Sequence, residues 1–152
     1  MDIFKTIVTG VAVFVLGQIF LKLVIEPIQK LRETIAEVAY YLANDHAVIH
    51  NADVVAKKIA QTASSNLKQL GARLVSGQQL IPFYSVFRTL LSLPKKANIK
   101  SASQKLFQIR NHMYGNDKDK YYLLDIYRIE ICELLRLQGP ISGGVSKHEE
   151  GG

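Results

Sequence analysis

Two histidines, His46 and His50, lie four residues apart in the segment DHAVIHNAD and are flanked by Asp45 and Asp53. On a helix this spacing places both imidazoles on one face, as a divalent metal such as zinc requires. A structural zinc site needs four ligands and a catalytic one usually three, and no paired cysteines or HExxH glutamate accompany the pair. We therefore predict no metal site, and we expect Asn44 or Asp45 to cap a helix that carries both histidines in its exposed first turns.

A basic cluster in the second half of the chain is the next group that could bind a ligand. It follows Pro94 and consists of Lys95, Lys96, Lys100 and Lys105. Such a cluster attracts phosphates, either of an anionic membrane surface or of a nucleic acid. The net charge of +6 is moderate, acidic residues are interspersed, and no RNA- or DNA-binding motif is present. We expect a solvated connector that can contact anionic lipid, with nucleic acid as the less favoured partner.

Catalytic signatures are absent from the sequence. It contains no GxSxG, no phosphate-binding GxxxxGK[ST] and no GxGxxG pattern. The single cysteine, Cys132, lies in an apolar helical segment, which is typical of a small buried side chain rather than a nucleophile. The nearby carboxylates Asp125, Glu130 and Glu133 have the pattern of a solvated helix face. We predict that the protein is not an enzyme and uses no cofactor.

The first structural element of the chain is an apolar segment from Ile3 to Ile25. As a helix it would be about 33 Å long, which suffices for a hydrocarbon core of roughly 30 Å. Lys5 and Lys22 lie near its ends, where a long side chain can keep its ammonium group among the headgroups. Asp2 and the lack of a small-x-small cleavage site argue against a cleaved signal peptide. Residues 1–26 are therefore predicted to form a transmembrane anchor.

Basic residues near the anchor indicate its orientation. Lys22, Lys30 and Arg32 follow or end the segment, whereas only Lys5 and the amino terminus lie at its start. Because Lys and Arg favour the cytoplasmic side, we expect the amino terminus outside and the rest of the chain in the cytoplasm. Membrane lipid is thus the first expected partner.

One face of the anchor is suited to contact with another helix. Gly10 and Gly17 are seven residues apart and Thr6 precedes Gly10 by four, so all three lie on one small-residue face. Gln18 adds an amide that hydrocarbon cannot satisfy, and a hydrogen bond to a partner helix would gain about 1 kcal/mol. We expect a homo-oligomer.

A second helical stripe follows the anchor. Its members alternate at spacings of three and four, as in a coiled coil, and are Ile28, Leu31, Ile35, Val38 and Leu42. The helix is expected to start at Pro27, or, if it continues from the anchor, to bend there. The pattern does not distinguish packing within one chain from packing between chains.

The remaining segments predict an all-α fold. Leu67, Leu70 and Leu74 mark a helix that Gly77 would end, and the segment from Gln78 to Leu93 is dense in apolar residues but too polar to span a bilayer. Further helices are predicted after a Ser101/Gln104 capping box and from about Asp119 to Leu137. We expect a single transmembrane helix followed by a cytoplasmic bundle of about four helices over residues 27–138, with a flexible tail over residues 139–152.

Three functions are compatible with this organisation. The leading hypothesis is a single-pass membrane protein that self-associates and serves as a scaffold, adaptor or signal-coupling module, with an unidentified protein as a further possible partner. The alternatives are an effector that perturbs the bilayer through the Gln78 to Leu93 segment and a membrane tether for nucleic acid through the lysine cluster.

Overall fold

The computed structural model describes residues 2–52, 55–114 and 119–137, and within these ranges the chain forms helices and no strand. The predicted all-α class is confirmed. The tail from Gly139 onwards lies outside the described residues, as do Asp53 and the side chain of His46.

The first element is a continuous helix from Asp2 to Asn44 of 43 residues. It comprises α1 (Asp2–Phe20), a π-helical turn (Leu21–Ile25) and α2 (Glu26–Asn44). Its amino-terminal part is long and apolar enough to cross a membrane. At about 1.5 Å per residue the whole helix extends roughly 65 Å, so a bilayer would accommodate only the first half of it.

The helix does not start at Pro27 but runs through it. In an α-helix the proline ring would clash with the carbonyl group of Leu23, four residues earlier. Leu23 lies inside the π turn, where the backbone N–H of Glu26 donates to the carbonyl oxygen of Leu21, five residues back. The wider turn at this point gives the proline room and keeps the helix continuous.

The other helices follow in chain order as α3 (His46–His50), α4 (Lys57–Gln79), α5 (Tyr84–Leu91), α6 (Lys96–His112) and α7 (Lys120–Leu135). α4 packs between α2 and α6, and α6 packs against α7. Four long helices thus form the bundle, and α3 and α5 are short additions to it. Gly77 lies inside α4 rather than at its end, two residues before the last helical residue.

The core lies where the inner faces of α2, α4, α6 and α7 meet. Its largest fully buried side chains are Leu31, Val38, Leu42, Ile49, Leu67, Leu74, Ile99, Leu106, Ile109, Met113, Leu124 and Ile131. α4 and α6 approach closely at Gly71, whose carbonyl oxygen accepts a hydrogen bond of 2.8 Å from the buried Ser103 hydroxyl. A side chain at Gly71 would press on this contact, because a Cβ atom there would lie 3.2 Å from the Ser103 oxygen.

The lysine-rich segment is helical, and the expectation of a connector was wrong. α6 begins at Lys96, directly after Pro94 and Lys95, and Ser101 lies within the helix instead of capping it. Ile99 explains the earlier start, since it is fully buried and continues the inward stripe of Ala102 and Leu106 by one turn.

Candidate membrane-contact surface

α1 is the one long helix of the described chain that buries none of its residues. Its exposed large apolar side chains are Ile3, Phe4, Ile7, Val8, Val11, Val13, Phe14, Val15, Leu16, Ile19 and Phe20. Moving one such side chain fully from water into an apolar environment gains about 1.5 to 3 kcal/mol. An exposed apolar surface of this size is typical of a contact with a membrane or with another protein, and by length and composition this part of the chain could cross a membrane.

The small-residue face of α1 is open along its length. A Cβ atom built on Gly10 or Gly17 would meet nothing within 4 Å. The Thr6 hydroxyl donates a hydrogen bond of 2.9 Å to the carbonyl oxygen of Asp2, so the helix itself satisfies this donor. Gln18 lines a shallow groove together with Phe14, Val15, Ile19 and Lys22. Of the four residues predicted for helix contact, Gln18 is therefore the one that would gain most from a hydrogen bond to a neighbouring helix.

The coiled-coil-like stripe of α2 lies in the core of its own chain. Ile28, Leu31, Val38 and Leu42 are buried, and Ile35 is half-buried against the same cluster. Leu31 packs beside Gly77 of α4, where a Cβ atom on the glycine would lie 3.6 Å from the nearest leucine carbon. The stripe is thus the surface through which α2 packs against the other helices of the bundle.

The lysine cluster is divided by the fold. Lys95, Lys96 and Lys100 are exposed at the start of α6. Lys105 instead faces α7, where its Nζ atom lies 2.6 Å from a carboxylate oxygen of Glu130 and 4.8 Å from the centre of the Tyr127 ring. Three of the four lysines can therefore contact an anionic surface, and the fourth joins α6 to α7.

His50 is buried, which differs from the exposed position expected for it. Its Nε2 atom lies 3.3 Å from Oδ1 of Asp125 in α7, and its ring stacks on Tyr121 at 5.8 Å. The same Asp125 oxygen accepts a hydrogen bond of 3.1 Å from Arg128. His50 thus attaches the short α3 to α7. Among the described residues, no group of three or more His, Cys, Asp or Glu side chains is arranged to hold a metal ion.

Cys132 in α7 is half-buried. Burial raises the pKa of its thiol, an effect that the nearby Arg128 guanidinium partly offsets and Glu133 reinforces. The thiol is therefore mostly protonated at neutral pH, and a protonated thiol is a poor nucleophile. This environment suits a packing role.

An open cleft runs between α2 and α4. Tyr41 and Asn66 belong to both of its adjoining depressions, of about 210 and 310 Å³, and Glu37 and Arg73 form a salt bridge of 2.6 Å at one end. The Tyr41 side chain is buried, and this burial, together with the Asp45 carboxylate, raises the pKa of its hydroxyl. Both depressions are open to solvent.

Sequence reasoning missed two features of this region. The π turn before Pro27 was one, although the proline itself was a signal that the α-helical hydrogen bonding must change upstream of it. The other is a contact between Phe20, the last residue of α1, and Phe87 of α5, whose rings lie 6.3 Å apart. No sequence pattern indicates this contact between distant segments.

Comparison of the chain with family models, with curated proteins and with solved structures finds no match.

Proposed function

We propose that this protein is a single-pass membrane protein that self-associates through α1 and presents its helical bundle in the cytoplasm as a scaffold, adaptor or signal-coupling module, without catalytic activity. The observation that carries the proposal is the contrast along one continuous helix. α1 buries no residue, whereas α2, which continues it, supplies Leu31, Val38 and Leu42 to the core. A single helix therefore serves the membrane with one half and the bundle with the other.

The direct link between these halves supports a coupling role. No flexible loop separates α1 from α2, because the π turn keeps the backbone helical from Asp2 to Asn44. A change in how α1 packs in the membrane would therefore act on α2 and on the bundle core. A scaffold would also benefit from this connection, since a continuous helix relates the orientation of the bundle to that of α1.

Self-association is assigned to α1 and not to the α2 stripe. The stripe is covered by other helices of the same chain, so pairing through it between chains would require the bundle to open. Gly10 and Gly17 have open space around them, which allows close approach of a second helix, and Gln18 can donate across such a contact.

Light scattering in mild detergent tests self-association. The full chain is expected to be a defined oligomer, and Gly10→Leu/Gly17→Leu is expected to be a monomer because its leucines keep the helices apart. The matched control is Ala12→Leu/Val15→Leu, which enlarges the opposite face of α1 and should remain an oligomer. A monomeric wild-type chain over a wide concentration range would refute self-association and leave the anchor proposal standing.

Orientation requires a separate experiment. Lys22, Lys30 and Arg32 at the bundle end of α1 favour a cytoplasmic bundle. Alkaline phosphatase, which is active only outside the cytoplasm, should be active when it is fused to the amino terminus and inactive when it is fused to the carboxyl terminus. The reverse pattern would invert the proposed orientation, and recovery of both fusions in the soluble fraction would refute the anchor.

A further inference from the structure

α5 and the residue before it expose an apolar stripe at the end of α1. Phe83, Val86 and Leu90 follow one another at helical spacings of three and four, and they are 81, 63 and 73% exposed. Leu80, which follows the last residue of α4 and precedes Phe83 by three residues, is 67% exposed. On the other side of α5, Tyr84 is buried, and Phe87 and Leu91 are partly buried against the core. The helix is thus apolar both towards the bundle and away from it.

The contact between Phe20 and Phe87 fixes the position of this stripe. Phe20 is the last residue of α1, and its ring lies 6.3 Å from that of Phe87. Phe87 precedes Leu90 by three residues within α5, so the exposed Leu90 is its neighbour on the helix surface, and Phe83 is the residue directly before this helix. The exposed stripe therefore begins beside the point where the apolar helix ends.

Several contacts hold α5 in this place. Arg32 of α2 donates a hydrogen bond of 2.8 Å to the carbonyl oxygen of Leu91. The buried hydroxyl of Tyr84 donates one of 2.7 Å to the carbonyl oxygen of Pro94. Ile81 and Leu93, on either side of α5, are both buried. The stripe is consequently presented by a docked element and not by a loose loop.

The backbone of Phe83 is unusual for such a residue. Its φ angle of 49° lies in the left-handed region, which costs a residue with a side chain about 1 to 2 kcal/mol. Glycine or asparagine would take this conformation more easily. The Phe83 side chain is 81% exposed, so packing inside the protein offsets little of this conformational cost.

We propose that α5 is a second membrane contact at the boundary of headgroups and acyl chains, with Leu80, Phe83, Val86 and Leu90 buried in lipid. The inference rests on the proposed anchor, because the contact with Phe20 sets the depth of α5 only when α1 spans the bilayer. Continuity with α1 favours lipid over a protein as the occupant. Exposed basic residues in the π turn and after α5, Lys22, Lys95 and Lys96, can contact anionic headgroups.

Tryptophan fluorescence can test this contact, since the chain contains no tryptophan. Four single variants of the full chain are reconstituted into vesicles of phosphatidylcholine and phosphatidylglycerol. Phe83→Trp and Leu90→Trp probe the stripe, and both positions are exposed, so the fold tolerates the change. Phe14→Trp probes α1. Tyr40→Trp is the matched exposed control, at a position 71% exposed and about 20 Å further along the helix from Pro27.

The expected result is a blue-shifted emission for both stripe variants and loss of that emission in lipids brominated near the headgroup end of the acyl chains. Tyr40→Trp should keep the emission of a tryptophan in water and remain unquenched, whereas Phe14→Trp should be quenched most by bromines deeper in the bilayer. Quenching of Phe14→Trp without any change for Phe83→Trp and Leu90→Trp would overturn the inference and leave the anchor intact. Blue-shifted stripe variants that brominated lipid does not quench would assign the stripe to a protein contact, which also overturns it. An unquenched Phe14→Trp would refute the anchor itself.

Discussion

The guanidinium group of Arg32, near the start of α2, donates a hydrogen bond of 2.8 Å to the backbone carbonyl of Leu91, the last residue of α5. This carbonyl is one of those that a helix end leaves without an intrahelical donor, and a cation beside it also opposes the negative end of the helix dipole. α5 has only eight residues, too few to be stable as an isolated helix. Its position therefore depends on tertiary contacts such as this one.

Arg32→Gln should loosen α5 without unfolding the bundle. The bond is exposed, so we expect the free energy of global unfolding to fall by about 1 kcal/mol or less. Amide hydrogen exchange in residues 84–91 should accelerate markedly, because local opening of α5 no longer breaks this bond. Lys30→Gln removes the same charge two residues away and is the control. Equal exchange rates in α5 for the two variants would refute the role of Arg32.

Two glycines of α4 should respond in opposite directions to substitution. At Gly77 an added Cβ would meet Leu31 at an ordinary distance of 3.6 Å, so Gly77→Ala should raise the free energy of unfolding by about 0.5 to 1 kcal/mol through helix propensity. At Gly71 a Cβ would already lie 3.2 Å from Ser103 and 3.3 Å from Phe107. The larger Gly71→Val should therefore destabilise the fold by about 1 to 3 kcal/mol. Urea unfolding in mild detergent, followed by circular dichroism, measures both, and a stabilising Gly71→Val would contradict the close approach of α4 and α6.

These glycines also show where sequence reasoning reached its limit. Periodicity identified the inward residues of α2 and α4, including Leu31, Leu67 and Leu74, because burial of one helix face leaves a regular trace in the sequence. Glycine was less informative. It ends many helices, which led to the prediction that Gly77 would stop α4, but it also permits close packing, and only the position of Leu31 distinguishes the two uses.

Neither the first residue of α6 nor the exposed apolar stripe at α5 could be predicted from the sequence, because both depend on tertiary packing. Ser101 and Gln104 match a capping box, yet burial of Ile99 extends the helix upstream, since tertiary packing outweighs a cap that contributes about 1 kcal/mol. The apolar density of the Gln78 to Leu93 segment was evident from its composition. Its division into an inward and an outward stripe, and the contact of Phe87 with Phe20, depend on the tertiary arrangement of distant segments.

Cys132 should react slowly with thiol reagents at neutral pH. Burial raises the pKa of its thiol, so the thiolate fraction is smaller than that of an exposed cysteine, and the reaction rate should rise only at higher pH. The comparison is Ser65→Cys in a Cys132→Ser background, because Ser65 is exposed on α4. The rate of maleimide modification is measured against pH for both proteins in mild detergent. A Cys132 profile whose midpoint lies at or below that of the exposed cysteine would contradict the packing role.

The alkaline limb of the stability curve should depend on Tyr41. Burial and the Asp45 carboxylate raise the pKa of its hydroxyl above the usual value of about 10. The unfolded chain therefore releases this proton at lower pH than the folded chain, so the folded state binds more protons above pH 10 and its stability falls as pH rises. Below the unfolded pKa the effect vanishes, since the hydroxyl is protonated in both states.

Tyr41→Phe should accordingly flatten part of this alkaline decline. A smaller decline will remain, because burial also raises the pKa values of Tyr84 and Cys132. The free energy of unfolding is measured from neutral pH to above pH 10 for the wild type, for Tyr41→Phe and for Tyr40→Phe, whose side chain is exposed on the same helix. The difference between the wild type and Tyr41→Phe should stay constant up to about pH 9 and then shift in favour of the variant. A constant difference over the whole range would mean that the Tyr41 hydroxyl ionises equally easily in the folded and unfolded chains, which is incompatible with its burial between α2 and α4.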